Sequence, residues 1–358
     1  MSRRRPCGPA ISSPQFGLTL VEVMVAMAVG IILLLALGTL FANSTRIFKA
    51  NDDFSRMQEN GAYALNTIGA DLRMAGFYGY LASNGVLIPP GASITMTSDC
   101  GPGWATTFGE PLAGFFNVSA SEAHTKLACI PAANFITTAA NRPSFILIVR
   151  GAAGGRVLPA DLDLATVYVQ SDAGGGIAFY GKEQYEGLAV TAKRYLPGAI
   201  EAPIFPYHAR AYYLRPCSRP TGTDGVCLAS DDGNQPIPTL VRQELVGTIM
   251  TERAVAEGIE AARILYGVDN GGDGIPDIYT EAPTAAQFSQ VVTVRVSVLV
   301  RSPQPANGYD DSSRSYDVDG DGTAELNCTA DALPCNYHRH VFTQSFQVRN
   351  VAQRLETF

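Results

Sequence analysis

The first part of the chain is almost continuously apolar. The stretch "GLTLVEVMVAMAVGIILLLALGTLF" begins at Gly17 and contains a single carboxylate, at Glu22. The run Val23–Thr45 has no charged residue and no proline. It is longer than the roughly 20 residues that span the hydrocarbon core of a bilayer. We therefore predict a membrane-spanning segment at residues 18–42.

Beyond this segment the apolar residues recur at steps of three, four and seven, at Phe54, Met57, Ala64, Leu65, Ile68 and Leu72. Such spacing places them on one face of an amphipathic helix. No proline occurs between Gln15 and Ile88. The pattern therefore predicts one helix from Leu18 to about Ala75, with an amphipathic half at residues 43–75. Gly76 and Gly79 are its predicted stop signals.

The rest of the chain, residues 76–358, contains short β-rich runs between Gly, Pro, Asp and Asn clusters, at 144–150, 166–170, 291–301 and 341–350. These runs predict strands. In the third run Val292, Val294, Val296 and Val298 alternate with Thr293, Arg295, Ser297 and Leu299. That alternation predicts a half-buried strand of an antiparallel sheet, with one face free to cover a helix. A second, weaker helix is predicted at Thr251–Gly267. The predicted fold class is α+β, a long N-terminal helix on an antiparallel sheet.

Composition agrees with one anchor and one globular body. Of 358 residues, 46% are hydrophobic and 16% are charged, and the mean hydropathy is +0.07. A secretory signal peptide is the alternative for the apolar segment, but its apolar region is only about 7–15 residues long. Arg3, Arg4 and Arg5 precede the segment, so the positive-inside rule places the N-terminus in the cytoplasm and exports the rest. The formal net charge of −7 does not favour a nucleic-acid partner.

Seven cysteines occur, at positions 7, 100, 129, 217, 227, 328 and 335. Cys7 precedes the predicted anchor. The other six lie on the exported side, where oxidising conditions favour three disulfides. Proximity along the chain favours Cys217 with Cys227, Cys328 with Cys335 and, by elimination, Cys100 with Cys129. Reduced, buried cysteines are the alternative.

A basic leader, Gly17, a hydrophobic residue, and Glu22 five residues after the glycine, all opening one long apolar helix, resemble the class III signal of type IV pilins. In that family a prepilin peptidase cuts after the glycine and methylates the new N-terminal residue, which here is Leu18. The leucine in place of the usual phenylalanine and Phe16 before the glycine depart from the pattern. The resemblance implies a pilin-like fold and a leader, residues 1–17, that is removed.

The resemblance extends further along the chain. Residues 55–79 are similar to the helix of PilW-type minor pilins. The stretches "ILYGVDNGGDGIPDIY", "VRVSVLVRS" and "FQVRN" are similar to later segments of that family in the same order. Between about residue 81 and residue 238 the similarity is thin.

This family implies a minor pilin of the bacterial inner membrane that joins other minor pilins and the major pilin. It would take part in initiating a type IV pilus, lie at or near the pilus tip, and serve functions such as twitching motility. A minor pseudopilin of a type II secretion system carries the same N-terminus and is one alternative. A pilus-tip adhesin or binding module is another.

Glu22 needs an explanation, because a carboxylate at the centre of a membrane costs at least about 2.5–3.5 kcal/mol. It lies four residues from the new terminus, roughly 6 Å along a helix. In a bundle of helices it can face the Leu18 amine of a neighbouring subunit, and the low dielectric strengthens that attraction. The alternative is that Glu22 only offsets the N-terminus of its own helix, or bonds its own amine.

Two acidic loops are candidate calcium sites. The stretch "DVDGDGTAE" offers oxygen ligands at EF-hand-like spacing, from Asp317, Asp319, Asp321, Thr323 and Glu325. Cys328 stands where an EF-hand has its last glutamate, so at most a shorter calcium loop is expected. The stretch "DNGGDGIPD" is poorer and offers Asp269, Asp273 and Asp277. Solvated Asp/Gly turns are the alternative for both loops.

Enzyme activity is not expected. The chain has no G-x-S-x-G, H-E-x-x-H or G-x-x-x-x-G-K-[ST] motif, and it has only four histidines. An anchored extracytoplasmic hydrolase would need a nucleophile or metal constellation that the sequence does not contain. We therefore expect no catalytic residue, no small-molecule substrate and no required cofactor.

Overall fold

The computed structural model describes residues 17, 19–81, 85–136 and 144–350. The basic leader, Cys7 and Leu18 lie outside these described residues. By internal contacts the chain divides between Asp52 and Asp53 into two compact units, and each is described by itself below.

The first helix, α1, runs without interruption over Leu20–Met74, which confirms the single long helix predicted from the sequence. After its last turn Gly76 and Gly79 adopt φ angles of 73° and 79°, a left-handed conformation that glycine accepts most easily. The side-chain amide of Asn350 donates to the carbonyl oxygens of Arg73 and Ala75, at 3.3 and 3.1 Å. The C-terminal end of α1 is thus capped by the far end of the described chain.

The other elements follow in chain order. Two short helices are α2 (Ala120–Lys126) and α3 (Gly181–Gly187). The strands of the first half are β1 (Val86–Leu87), β2 (Leu112–Phe116), β3 (Phe145–Ala152), β4 (Val167–Asp172), β5 (Gly175–Tyr180), β6 (Tyr195–Leu196), β7 (Ile200–Glu201) and β8 (Ile204–Arg215). Those of the second half are β9 (Thr239–Val246), β10 (Ile249–Glu257), β11 (Ile259–Val268), β12 (Ile278–Thr280), β13 (Val291–Arg301), β14 (Ser315–Tyr316), β15 (Leu326–Asn327) and β16 (Arg339–Gln347). Asp231–Asn234 forms a further single turn, with positive φ at Asp232 and Gly233.

The larger sheet has the order β1-β5-β4-β8-β3-β2, with β9 pairing both β8 and β10. Only β1 and β5 are parallel among these described pairs. Strand β8 is its centre, because it pairs with β3, β4 and β9. The predicted strands at 144–150 and 166–170 are confirmed as β3 and β4.

The C-terminal sheet has the order β12-β11-β13-β16 and is antiparallel throughout. The predicted strands at 291–301 and 341–350 are confirmed as β13 and β16. Val294, Val296 and Val298 of β13 point into the core that contains the second half of α1. Strand β13 is more than half-buried, however, because Leu299 on its other face is covered by Val318 and Leu326.

The helix predicted at Thr251–Gly267 is wrong. These residues form β10 and β11, which meet at Gly258. Gly258 has a φ of 79°, and a Cβ there would lie 2.9 Å from the carbonyl oxygen of Arg301. Helix-favouring Ala, Glu and Arg gave the segment a helical appearance, but pairing with β9 and β13 overrides that weak local preference.

The second half of α1 packs on the C-terminal sheet through five apolar side chains, Met57, Ala64, Leu65, Ile68 and Leu72. Two glycines on the same face admit aromatic rings of β16. A Cβ at Gly61 would lie 2.6 Å from Phe342, and a Cβ at Gly69 would overlap Phe346. The side chains of β16 therefore occupy space that only glycine leaves open on the helix.

Buried ion pairs connect distant segments of this unit. Asp71 of α1 pairs with Arg210, accepts a hydrogen bond from the Tyr212 hydroxyl, and lies 3.8 Å from Arg242. Elsewhere Arg339 pairs with Glu260 at 2.6 Å and with Asp311 at 3.1 Å. The second network fastens the long connection after β13 to the C-terminal sheet.

Candidate assembly and cation sites

The N-terminus of α1 carries a capping box formed by Thr19 and Glu22. The Thr19 backbone N–H and hydroxyl donate to Glu22 Oε2, at 2.9 and 2.8 Å, and the Glu22 N–H donates to Thr19 Oγ1 at 3.3 Å. This reciprocal arrangement satisfies N–H groups that a helix start leaves unpaired. In the uncut chain Glu22 therefore has a local partner. The T-x-x-E signal was present in the sequence, but sequence analysis did not assign Thr19 this role.

The apolar half of α1 buries none of its most apolar window within the chain. Leu20 and Phe41 are each 77% exposed, and Gly30 and Gly38 have no atom within 4 Å of a Cβ added there. By length and composition this helix can cross a membrane. Its surface requires lipid or other helices around it, which fits a membrane-anchored protein that assembles through this segment.

The loop 317–325 connects β14 to β15 and gathers carboxylates. One oxygen from each of Asp317, Asp319, Asp321 and Glu325 lies within 4.8 Å of the others. Gly320 and Gly322 have φ angles of 76° and 92°, which lets the backbone turn tightly around the group. Both donate their N–H to Asp317, at 2.6 and 3.0 Å. The carboxylates thus converge although no basic side chain is among the residues that hold them.

Glu325 is the most confined member of this group. Its Oε1 is buried and has no hydrogen-bond partner among the described residues, while Oε2 accepts the Val318 N–H at 3.2 Å. Burial raises the pKa of Glu325, the Val318 N–H opposes that rise, and the neighbouring Asp319 carboxylate adds to it. Thr323, also predicted as a ligand, is exposed and outside the group; its N–H donates to Asp321 at 2.6 Å.

The second acidic loop uses its carboxylates differently. Asp269 is buried and accepts N–H groups from Gly272 at 2.6 Å and Gly274 at 2.7 Å. Asp277 accepts two more, from Asn270 and Gly271, at 2.7 and 3.0 Å. Burial opposes ionisation of Asp269, but the backbone donors outweigh it and lower its pKa. Asp269, Asp273 and Asp277 are not brought within 4.8 Å as a group, so this loop has the geometry of a hydrogen-bonded turn.

Three disulfides occur in the described part of the chain: Cys100–Cys129, Cys217–Cys227 and Cys328–Cys335. These are the pairs that proximity along the sequence favours. Asp231 lies near Cys217 and Cys227, but disulfide sulfurs are not thiolate ligands, so the trio does not form a metal site.

Sequence comparison identifies two regions. Residues 227–350 match the family model described as Type IV Pilus-assembly protein W. Residues 12–38 match the prokaryotic N-terminal methylation motif. No curated protein matches the chain.

Among solved structures the chain is similar to a type IV-like pilin, TTHA1219 from Thermus thermophilus. The identity is 9%, the alignment covers 85% of this chain and 97% of that chain, and the TM-score is 0.32. The methylation motif contains Gly17 and Glu22, and the pilus-assembly match contains the entire C-terminal sheet on which α1 packs. Together these matches identify the chain as a PilW-like minor pilin of the type IV pilin family.

Proposed function

We propose that this minor pilin takes part in the initiation of type IV pilus assembly. The precursor is held in the inner membrane with its N-terminus in the cytoplasm and its globular unit in the periplasm. Prepilin peptidase cuts between Gly17 and Leu18. The mature protein then joins other minor pilins and the major pilin, and remains at or near the pilus tip.

One observation carries this proposal: the apolar half of α1 has no burial partner within the chain, yet holds a carboxylate one turn from the cleavage point. Cleavage creates an amine at Leu18. When such helices pack together, Glu22 of one subunit can pair with the amine of its neighbour, and the low dielectric between helices strengthens the pair. In the precursor no such amine exists there, and Thr19 occupies the carboxylate instead.

Deleting the gene tests the proposal. Assembly initiation predicts loss of surface pili, as seen by electron microscopy, and recovery on complementation with the wild-type gene. Normal pili with poor attachment would instead indicate an adhesin. Normal pili with impaired protein secretion would indicate a type II pseudopilin, and either result would overturn the proposal.

We further propose that Asp317, Asp319, Asp321 and Glu325 bind one calcium ion. Calcium prefers six to eight oxygen ligands, and carboxylates supply them readily. The buried, unpartnered Oε1 of Glu325 supports this assignment, because an orphaned buried acceptor is costly unless a cation or donor meets it. Backbone carbonyls and water would complete the coordination.

Isothermal titration of calcium into the full-length protein in detergent tests the site. We expect a binding signal that Asp319→Ala and Asp321→Ala each abolish. Asp273→Ala, in the second acidic loop, is the matched control and should leave the signal unchanged. Absence of heat at millimolar calcium in the folded wild-type protein would leave the loop as a plain turn.

A further inference from the structure

A groove of about 430 Å³ lies outside the assembly helix and the calcium loop. It is formed by two short segments before β2 and is lined by Ile94, Met96, Asp99, Gly101, Pro102, Gly103 and Thr106. The first segment is attached to the β9–β10 turn: the Thr97 N–H donates to the Thr248 carbonyl at 2.9 Å, and the Met250 N–H donates to the Ser98 carbonyl at 3.0 Å. The groove therefore belongs to the folded core of this unit.

Asp99 is the charged residue of the groove, and its charge is not compensated. Its Oδ1 accepts the N–H groups of Cys100 and Ala105, at 2.7 and 3.2 Å. Its Oδ2 is buried and has no hydrogen-bond partner among the described residues. In the described part of the chain no basic side chain forms an ion pair with it. A carboxylate in this state favours a cationic donor.

The rest of the lining suits the stem of a long side chain. Ile94, Met96 and Pro102 give apolar contacts, whereas Gly101 and Gly103 leave their part of the wall without side chains. Lysine and arginine combine an aliphatic stem with a charged end, which matches apolar walls around one carboxylate. We infer that this groove binds a lysine or arginine side chain of a neighbouring protein, with the stem on Ile94 and Met96 and the cationic end at Asp99.

The groove is held in shape before any ligand arrives. Cys100 is fixed by its disulfide to Cys129. The Tyr207 hydroxyl donates to the Ala105 carbonyl at 2.7 Å, and the Arg150 guanidinium lies 4.6 Å from the ring centre of Trp104. Because these contacts order both segments, binding incurs little of the conformational entropy cost that weakens flexible sites.

Saturation-transfer NMR on the full-length protein in detergent tests this site with Nα-acetyl-lysine methylamide and Nα-acetyl-arginine methylamide. The uncharged norleucine analogue is the matched ligand control. We expect transfer to the charged probes. Asp99→Asn should weaken their binding about tenfold, since a charge-assisted bond is worth about 1.5 kcal/mol or more. Asparagine keeps the acceptor for the Cys100 and Ala105 N–H groups, so the loop should stay folded.

Two further variants separate the site from general charge effects. Asp161→Asn, at an exposed aspartate away from the groove lining, should leave probe binding unchanged. Ile94→Glu should strengthen binding, because it adds a second carboxylate to the wall. Equal transfer to norleucine, undiminished binding by Asp99→Asn, or no transfer at millimolar probe would each overturn the inference. None of these results bears on pilus initiation, which rests on α1.

Discussion

At the scale of single residues, Glu22 has different neighbours available before and after cleavage. In the precursor it completes the capping box with Thr19. Once the amine of Leu18 exists, a stronger, charged partner becomes available on an adjacent helix. The capping residue and the proposed intersubunit residue are thus the same side chain, and a substitution at Glu22 alone does not separate the two roles.

Thr19 supplies the missing control. Gly17→Val should leave the uncut precursor in the membrane, because a side chain at the scissile bond crowds the peptidase. Glu22→Ala should be cut normally but fail to recover its partner pilins on crosslinking, and Glu22→Asp should be intermediate. Thr19→Ala removes the cap, at a cost of about 1 kcal/mol, but keeps the carboxylate, so partner recovery should stay near wild type.

The readouts are precursor and mature bands on an immunoblot, paired with partner yield after crosslinking. If Thr19→Ala lost its partners as completely as Glu22→Ala, the local cap would be the function of Glu22. Wild-type partner yield in Glu22→Ala would likewise remove the intersubunit role.

At the scale of elements, spacing sets how α1 sits on β16. Gly61 and Gly69 are eight residues apart, about 12 Å along a helix. Phe342 and Phe346 are four residues apart, about 13 Å along a strand. The two distances nearly match, so both rings meet a glycine in one register only. A shift of one residue along the strand would turn both rings to the opposite face.

Filling one of these glycine positions should therefore be costly. Gly69→Leu should destabilise the unit by about 1–3 kcal/mol, the usual range for overpacking, although leucine is the better helix former by about 0.8 kcal/mol. Urea unfolding of the full-length protein in detergent measures the change. Gly38→Leu, where a Cβ meets nothing within 4 Å, is the control and should not lower the stability. Phe346→Ala should partly rescue Gly69→Leu; absence of rescue would place the clash elsewhere.

The sequence predicted those elements whose signal is local. The long helix, four strands and the Asp317–Glu325 group are encoded by spacing within one segment. Strands β10 and β11 were misread because their partners lie elsewhere in the chain, and the region between residues 81 and 238 was not predicted in detail for the same reason. Asp71 and Asp99 were missed because the groups around them come from β8, β9 and the β9–β10 turn, far away in sequence.

At the scale of the whole molecule, the buried charges make stability depend on pH. His208 lies in the small cavity that Asp71, Met74 and Arg210 also line. Burial, then the charge of Arg210, lowers the pKa of His208 from 6.5 to about 4, while Asp71 and Glu244 oppose the shift and Arg242 adds to it. The folded protein therefore holds this imidazole neutral over a range in which the unfolded chain protonates it.

Because the unfolded state binds the extra proton, stability should fall as the pH drops below 6.5 and level off near 4. Between pH 7 and pH 5 the loss should be about 2 kcal/mol for this group. Urea unfolding at both pH values measures it. His208→Gln should remove most of the difference, whereas an unchanged pH dependence in that variant would assign it to other groups.

The order of the disulfides along the chain has a consequence for export. The described bridges join each cysteine to the next one in sequence, over separations of 29, 10 and 7 residues, and no bridge encloses or crosses another. As the chain enters the periplasm from its anchored end, Cys100 and Cys129 emerge as the first pair, Cys217 and Cys227 as the second, and Cys328 and Cys335 as the last. An oxidase that simply joins cysteines in the order of their arrival makes every native bond. Maturation of this pilin therefore requires an oxidant but no disulfide reshuffling.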